Sequence, residues 1–331
     1  MQGKVECGAG VDPDPHAQDN AMTTVSVFGG TGFLGRSLVQ RLASEGATVR
    51  VAVRHVDRAR IAMHAAGLDR VSVLGADVRD RATVAAALDG ADAVVDAVSA
   101  YVETGGVTFE AVHEQGAKTL AREAAAAGVT RFVLVSGIGA DPESSSPYIR
   151  ARGRGERAVQ QVFPSVTIVR PSAMFGPGDA LFGTIAQLAR LLPVLPLIGG
   201  GRTRLQPVYV EDVAEAIALI LADPGTAGRT YEFAGPTVYT LRELFIVALR
   251  ITGKWRLLVP VPFAAAEVQA RLFELLPKPP LTSGQVDLLK ADNVASGILP
   301  GLRELNILPK AIEAIVPTYL GRSRIGARPG R

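Results

Sequence analysis

The sequence predicts an α/β chain built on a doubly wound parallel sheet, with a smaller C-terminal region interleaved beside it. Three observations carry this. Strand-like and helix-like stretches alternate from residue 23 to about residue 175. The strand-like stretches are continuous apolar runs rather than alternating ones, as expected of strands covered by helices on both faces. A glycine-rich turn joins the first strand to the first helix.

In chain order, the β-branched runs TTVSVF and TVRVAV flank the helical FLGRSLVQRLASEG, which closes at Gly46. The runs RVSVLG, ADAVVDAV, RFVLVS and SVTIVR continue the strands. Between them lie RATVAAALDG, FEAVHEQGAKTLAREAAAAG and YIRARGRGERAVQQV, which read as helices. Residues 1–21 mix Gly, Pro and Asp without periodicity and are expected to be a disordered tail, with Met22 open as an alternative first residue. Residues 22–175 are expected to form the nucleotide-binding domain and 176–320 the interleaved region, where prolines cluster around helices such as TLRELFIVALRITGK. Residues 321–331 are expected to be a basic tail carrying Arg322, Arg324, Arg328 and Arg331.

The turn FGGTGFLGR places Gly29, Gly32 and Gly35 in GxxGxxG spacing between a strand and a helix. Such glycines permit a tight turn and close approach of backbone to a pyrophosphate, which the helix N-terminus then holds. The candidate cofactor-binding set here is Gly29, Thr31, Gly32, Phe33, Leu34, Gly35 and Arg36. The second strand runs into Arg54, nineteen residues after Gly35, where a carboxylate would read the ribose 2′-hydroxyl of NAD. An arginine suits the 2′-phosphate, so NADP(H) is favoured, with NAD(H) possible. Asp77 and Val78 follow the third strand and are placed beside the adenine. Ala97, Val98 and Ser99 follow the fourth and are placed along the middle of the cofactor.

Composition narrows the classes. Hydrophobic residues make up 48% and charged residues 20%, ordinary for a globular chain. No apolar run approaches the roughly 18 residues that span a bilayer, and no secretory leader is read at the N-terminus. The single cysteine, Cys7, excludes an internal disulfide and fits a reducing compartment. A net charge of +3 does not argue for nucleic acid, and His16, His55, His64 and His113 are too scattered for a metal site.

The stretches GGTGFLGR, HEQGAKTLAREAAAAGVTRFVLVS, VRPSAMFGPGD and QPVYVEDVAEAI resemble the extended, atypical branch of the short-chain dehydrogenase/reductase superfamily, with its Rossmann fold. Within it, SGIGADPESSSPYIRARGRGE, LPKPPLTSGQVDLLKADNVAS and LPKAIEAIVPTYLGR are similar to the NADPH-binding accessory subunits of respiratory complex I and their proteobacterial relatives. That resemblance implies complex I subunits and a membrane surface as partners. It also implies a cytoplasmic protein, peripheral on the cytoplasmic face of the inner membrane.

In the superfamily a Tyr exchanges a proton with the substrate, a Lys four residues on lowers its pKa and holds the nicotinamide ribose, and a Ser or Thr orients the substrate. Tyr148 matches the first role. Arg152 occupies the lysine position, and a planar, permanently charged guanidinium is not its equivalent. Ser136 ends the fifth strand, but the orienting hydroxyl comes one or two places later, at Gly137 or Ile138. The resemblance also sets Pro171 and Ser172 against the nicotinamide. The expectation is an accessory or assembly protein whose reaction is lost. The alternative is an active reductase, epimerase or dehydratase on a quinone, isoprenoid or nucleotide-sugar substrate. The apolar stretches FGTIAQLARLLPVLPLIGG and LLVPVPFAAAEVQARLFELLPKPPL are either core of the C-terminal region or a docking surface.

Overall fold

The computed structural model describes residues 23–68, 71–274 and 281–320. The two expected tails, 1–21 and 321–331, lie outside the described residues.

The N-terminal half runs β1 (Thr24–Phe28), α1 (Phe33–Ser44), β2 (Thr48–Val53), α2 (Val56–Ala65), β3 (Ser72–Gly75), α3 (Arg81–Leu88) and β4 (Ala93–Asp96). A π-helical segment, Glu110–Gly116, leads into α4 (Ala117–Ala126), followed by β5 (Arg131–Val135), α5 (Pro147–Val162), β6 (Thr167–Pro171) and β7 (Met174–Phe175). The remainder comprises α6 (Ala180–Leu191), β8 (Val194–Ile198), β9 (Arg204–Leu205), β10 (Val208–Tyr209), α7 (Val210–Ala222) and β11 (Thr230–Phe233). It ends with β12 (Tyr239–Thr240), α8 (Leu241–Thr252), β13 (Leu257–Val261), α9 (Phe263–Phe273), α10 (Ser283–Leu288) and α11 (Ile312–Leu320).

Seven strands make the central sheet in the order β11-β6-β5-β4-β1-β2-β3, and every pairing in it is parallel. Both faces are covered, which is why the strands are apolar at nearly every position. Val25 and Val27 of β1 pack with Leu38 and Leu42 of α1 and Val213 and Ile217 of α7. Phe28, Val94 and Phe132 point the other way, into Val84 of α3, Leu120 of α4 and Val159 of α5. The chain order reverses between β1 and β4, and the crevice at such a reversal, outside the C-terminal strand ends, is where doubly wound sheets bind ligands.

Helix α2 adds an element to the sequence reading, which left the stretch after Arg54 unassigned. Only Ala59 and Met63 of it are buried, a two-residue stripe too short to stand out as a period. The C-terminal region returns to the main sheet through β11 and α7 and otherwise builds its own core from Phe175, Phe182, Leu195, Leu197, Leu244 and Phe245. Glu211 and Asp212 begin α7, as their charge at a helix N-terminus suggests. Asp212 is fully buried and accepts from the Lys310 backbone at 2.8 Å and from its ammonium, tying the C-terminal strap to the sheet domain.

Candidate dinucleotide site

The phosphate end of the crevice is made of backbone. Gly29 has φ +80°, and a Cβ on it would lie 2.6 Å from the Ala97 carbonyl oxygen. A Cβ on Gly35 would lie 2.2 Å from the Gly29 carbonyl. The strand end, the turn and the first turn of α1 are therefore in contact with no room for a side chain. Gly32 caps α1 without any side-chain hydrogen bond, and no acidic residue stands in the first turn. The first amides of α1 and its positive dipole end are left for an anion. Leu34 and Gly35 are buried, Thr31 and Phe33 are half-buried, and Gly32 and Arg36 are exposed. The Arg36 guanidinium lies near Gly178, 3.9 Å from where that residue's Cβ would be.

At the adenosine end Arg54 is exposed just past β2. Asp77 is gripped by Arg79, with Nε to Oδ1 at 2.9 Å and Nη2 to Oδ2 at 2.6 Å. That bidentate contact, with a smaller effect of Arg54, holds the Asp77 carboxyl below the usual carboxylate range. Val78 is buried against the α3–α4 side of the core. Asp80 caps α3, accepting from Ala82 at 3.0 Å.

Next to the loop, Ala97 packs on Gly29, and the Val98 amide donates to Asp96 at 3.1 Å. Asp96 is buried at the end of β4, and burial pushes its carboxyl up to about 6, against the lowering effects of Val98 and Arg152.

The proton-transfer corner is made of side chains. On α5, Tyr148, Ala151, Arg152, Gly155, Glu156 and Val159 form the buried face. The Tyr148 ring stacks on Tyr101 at 5.6 Å and meets Phe109 and His113 edge-on at 5.4 and 5.5 Å. The Arg152 guanidinium carbon sits 5.0 Å from the same ring's centroid, and Nη2 donates to Ser99 at 2.9 Å. Burial, opposed by Arg152 and Ser99, pushes the Tyr148 phenol up to about 12. Arg152 is itself buried. Glu156 beside it is gripped through both carboxylate oxygens by Arg170.

Ser136 lies just past β5, buried, its amide bound to Val169 and its hydroxyl without a partner among the described residues. Gly137 supplies no hydroxyl, and a Cβ there would be 3.6 Å from Arg152 Nη1. Pro171 and Ser172 sit buried at the end of β6. The Pro171 carbonyl accepts from Ile138 at 3.1 Å, and the Ser172 hydroxyl donates to the Gln206 carbonyl.

These residues fit a dinucleotide. Added side chains at Gly29 and Gly35 would close the cradle, and the uncapped α1 amides face it. At the far end Arg152 Nε, like the Ser136 hydroxyl, is a buried polar group without a partner among the described residues. Among the described residues no cluster of three or more His, Cys, Asp or Glu suits a metal ion.

Sequence reasoning missed Tyr101, Phe109, His113, Arg79 and Asp96. A legible signal existed for His113: a Cβ on Gly155, inside a helix where glycine costs about 1 kcal/mol relative to alanine, would lie 1.9 Å from the His113 carbonyl. Of the two glycines in RGRGE, Gly155 thus marked the close crossing at His113, while Gly153 lies against the Asp141–Pro142 loop. Burial, with Arg152 adding to it, pulls the His113 pKa down to about 3, which favours the neutral imidazole.

The NAD(P)H-binding family matches residues 29–224 of this chain. The chain belongs to that family. It is 34% identical over 313 residues to the mitochondrial NADH dehydrogenase (ubiquinone) 1 alpha subcomplex subunit 9 of Arabidopsis thaliana, covering 91% of this chain and 78% of that subunit. A ceramide reductase of Caulobacter vibrioides is 32% identical over 244 residues, 73% of this chain and 75% of the reductase. The fold agrees with a Streptomyces venezuelae dTDP-glucose 4,6-dehydratase crystallised with NAD and TYD, at a TM-score of 0.70 and 24% identity over 92% of this chain and 98% of that one.

Proposed function

We propose that this chain is an NADP(H)-binding accessory or assembly protein of a respiratory NADH:ubiquinone oxidoreductase, and that it has lost proton-coupled catalysis. The observation that carries this is Tyr148 walled in by Tyr101, Phe109, His113 and Arg152. Burial pushes its phenol up to about 12, away from the working pH at which a general base is most effective. No hydroxyl at position 137 orients a substrate. Bound nicotinamide supplies hydride chemistry. In this chain the glycine loop and α1 hold the pyrophosphate, Arg54 favours a 2′-phosphate, and Arg152 and Ser99 meet the nicotinamide ribose.

The complex I assignment draws on the subunit 9 relatives. Among the described residues no helix is long and apolar enough to cross a membrane. Exposed Leu191, Val268 and Leu272 supply apolar surface for docking on the peripheral arm of the complex, at the cytoplasmic side of the inner membrane. The second reading, a reductase, epimerase or dehydratase, is favoured by the retained Tyr148 and by the ceramide reductase relative.

The tagged native protein, purified under mild conditions, is expected to carry NADPH and bring respiratory subunits with it. It is expected to oxidise NADPH negligibly with quinone or carbonyl acceptors. Arg152→Lys alone restores little turnover; Arg152→Lys with Gly137→Ser restores more. Turnover in the natural chain that disappears in Tyr148→Phe, with no respiratory subunit recovered, establishes the enzyme instead.

A further inference from the structure

A second cleft, distinct from the dinucleotide crevice, opens in the C-terminal region with a volume of ≈ 660 Å³. Gly199, Arg202, Pro260, Pro262, Phe263 and Lys290 line it. It lies where the parallel strands β8 and β13 both end, and the Phe263 ring packs so closely on Gly199 that a Cβ there would lie 2.3 Å from it.

The charges in the lining are unequal. Lys290 is held between two carboxylates, Asp287 at 2.6 Å and Glu267 at 2.9 Å, which leave one negative charge in excess on that wall, and the neighbouring Asp292 is neutralised by Arg204 at 2.8 Å. Arg202 makes no hydrogen bond or ion pair among the described residues and lies along the Gly200 backbone, exposed to the cleft. Helix α9 starts at the same wall with no side-chain cap and no acidic residue in its first turn, so its positive end adds to the Arg202 charge.

The strands leading to the cleft are apolar outside as well as inside. Leu195 and Leu197 are fully buried, while their outward neighbours Val194, Leu257 and Val259 are 40, 53 and 38% exposed. Leu257 pairs with Val194 and Val259 with Pro196, giving a two-strand apolar ribbon. At about 3.3 Å per residue a five-residue ribbon is roughly 17 Å long, close to the length of a twelve-carbon chain. Trp255, the single tryptophan of the chain, stands two residues before Leu257 and is 85% exposed.

We infer that this cleft and ribbon bind a single-chain amphiphile, with its anionic headgroup on Arg202 and its apolar body along β8 and β13. A free inorganic anion satisfies the guanidinium but leaves the ribbon wet; a neutral apolar molecule covers the ribbon but leaves the cation unmatched. Only a molecule with both parts uses both features. The inference is independent of the dinucleotide site.

Trp255 is the reporter for the test. Dodecyl phosphate below its micelle concentration should bind saturably and shift Trp255 emission to shorter wavelength. Dodecanol should bind more weakly, and inorganic phosphate in large excess should neither shift the emission nor displace dodecyl phosphate. Arg202→Gln should weaken dodecyl phosphate binding roughly ten- to hundredfold, the worth of a charge-assisted hydrogen bond. Val259→Asp, at an exposed position, should weaken it from the apolar side. Melting temperature and NADPH affinity of both variants, measured in parallel, should be unchanged, which separates failure of this inference from failure of the cofactor reading. Wild-type affinity in Arg202→Gln, dodecanol binding as tightly as dodecyl phosphate, or displacement by inorganic phosphate each overturns it.

Discussion

The two ends of the dinucleotide crevice are built from different materials. At the phosphate end the contacts are backbone on backbone, with Gly29 against Ala97 and Gly35 against Gly29, and nothing in them depends on a titratable group. At the proton-transfer end every role falls to a side chain, and there the pattern departs from the superfamily at the lysine position and at the orienting hydroxyl. A cradle made of amides and glycines keeps its function as long as no Cβ is added. A proton relay needs particular side chains held at particular pKa values, and it is there that Arg152 and Gly137 stand in place of the superfamily's lysine and hydroxyl. On the function proposed above, binding outlasts chemistry in such a site.

Substitution at the phosphate end tests that comparison most severely. Gly35→Ala drives a methyl group into the Gly29 carbonyl, so it is expected to lower stability by about 3 kcal/mol or more and to weaken dinucleotide binding at least a hundredfold. Thermal melts and nucleotide titration measure both. Near-natural binding in this variant would break the claim that the end is set by backbone contact.

Arg54→Ala has a smaller expected effect, because one exposed charge is lost and no packing changes. NADPH affinity should fall roughly ten- to hundredfold, about 1.5–3 kcal/mol, with NADH affinity unchanged. Calorimetric titration of both nucleotides measures it, and a preference for NADH that survives the substitution rules out Arg54 as the 2′-phosphate ligand.

The smallest effect belongs to Asp96, which sits between the two ends. Its folded-state pKa is raised to about 6 from an ordinary 3.8. Below 3.8 both folded and unfolded chains hold the proton. As pH rises from there to about 6 the folded state holds it longer, so stability falls through that window. Above it a buried charge remains, costing on the order of 1–3 kcal/mol. Asp96→Asn is therefore expected to stabilise the cofactor-free protein by that amount near neutral pH and by nothing near pH 4. Melting temperatures across that range measure the difference, and a pH-independent gap would show that burial is not the cause.

The order of β1 to β6, the helices between most of them and the glycine cradle were legible in the sequence because each is local. A β-branched run, an amphipathic period or a GxxGxxG turn is complete within about twenty residues. Tyr148, Arg152 and Ser136 were legible as well, by their places relative to α5 and β5. The environment that decides what they do was not. Tyr101, Phe109 and His113 reach the phenol from segments up to 47 residues away in the chain, and burial by those rings sets its acidity. The apolar stretches around β8 and β13 divide in the same way: alternate residues of β8 enter the core while their neighbours stay exposed, a split that follows from strand pairing across some 60 residues of chain. Sequence determines which groups are present and what local structure carries them. Only the tertiary fold decides which of them lose water, because desolvation depends on everything that packs around a group, wherever in the chain it comes from.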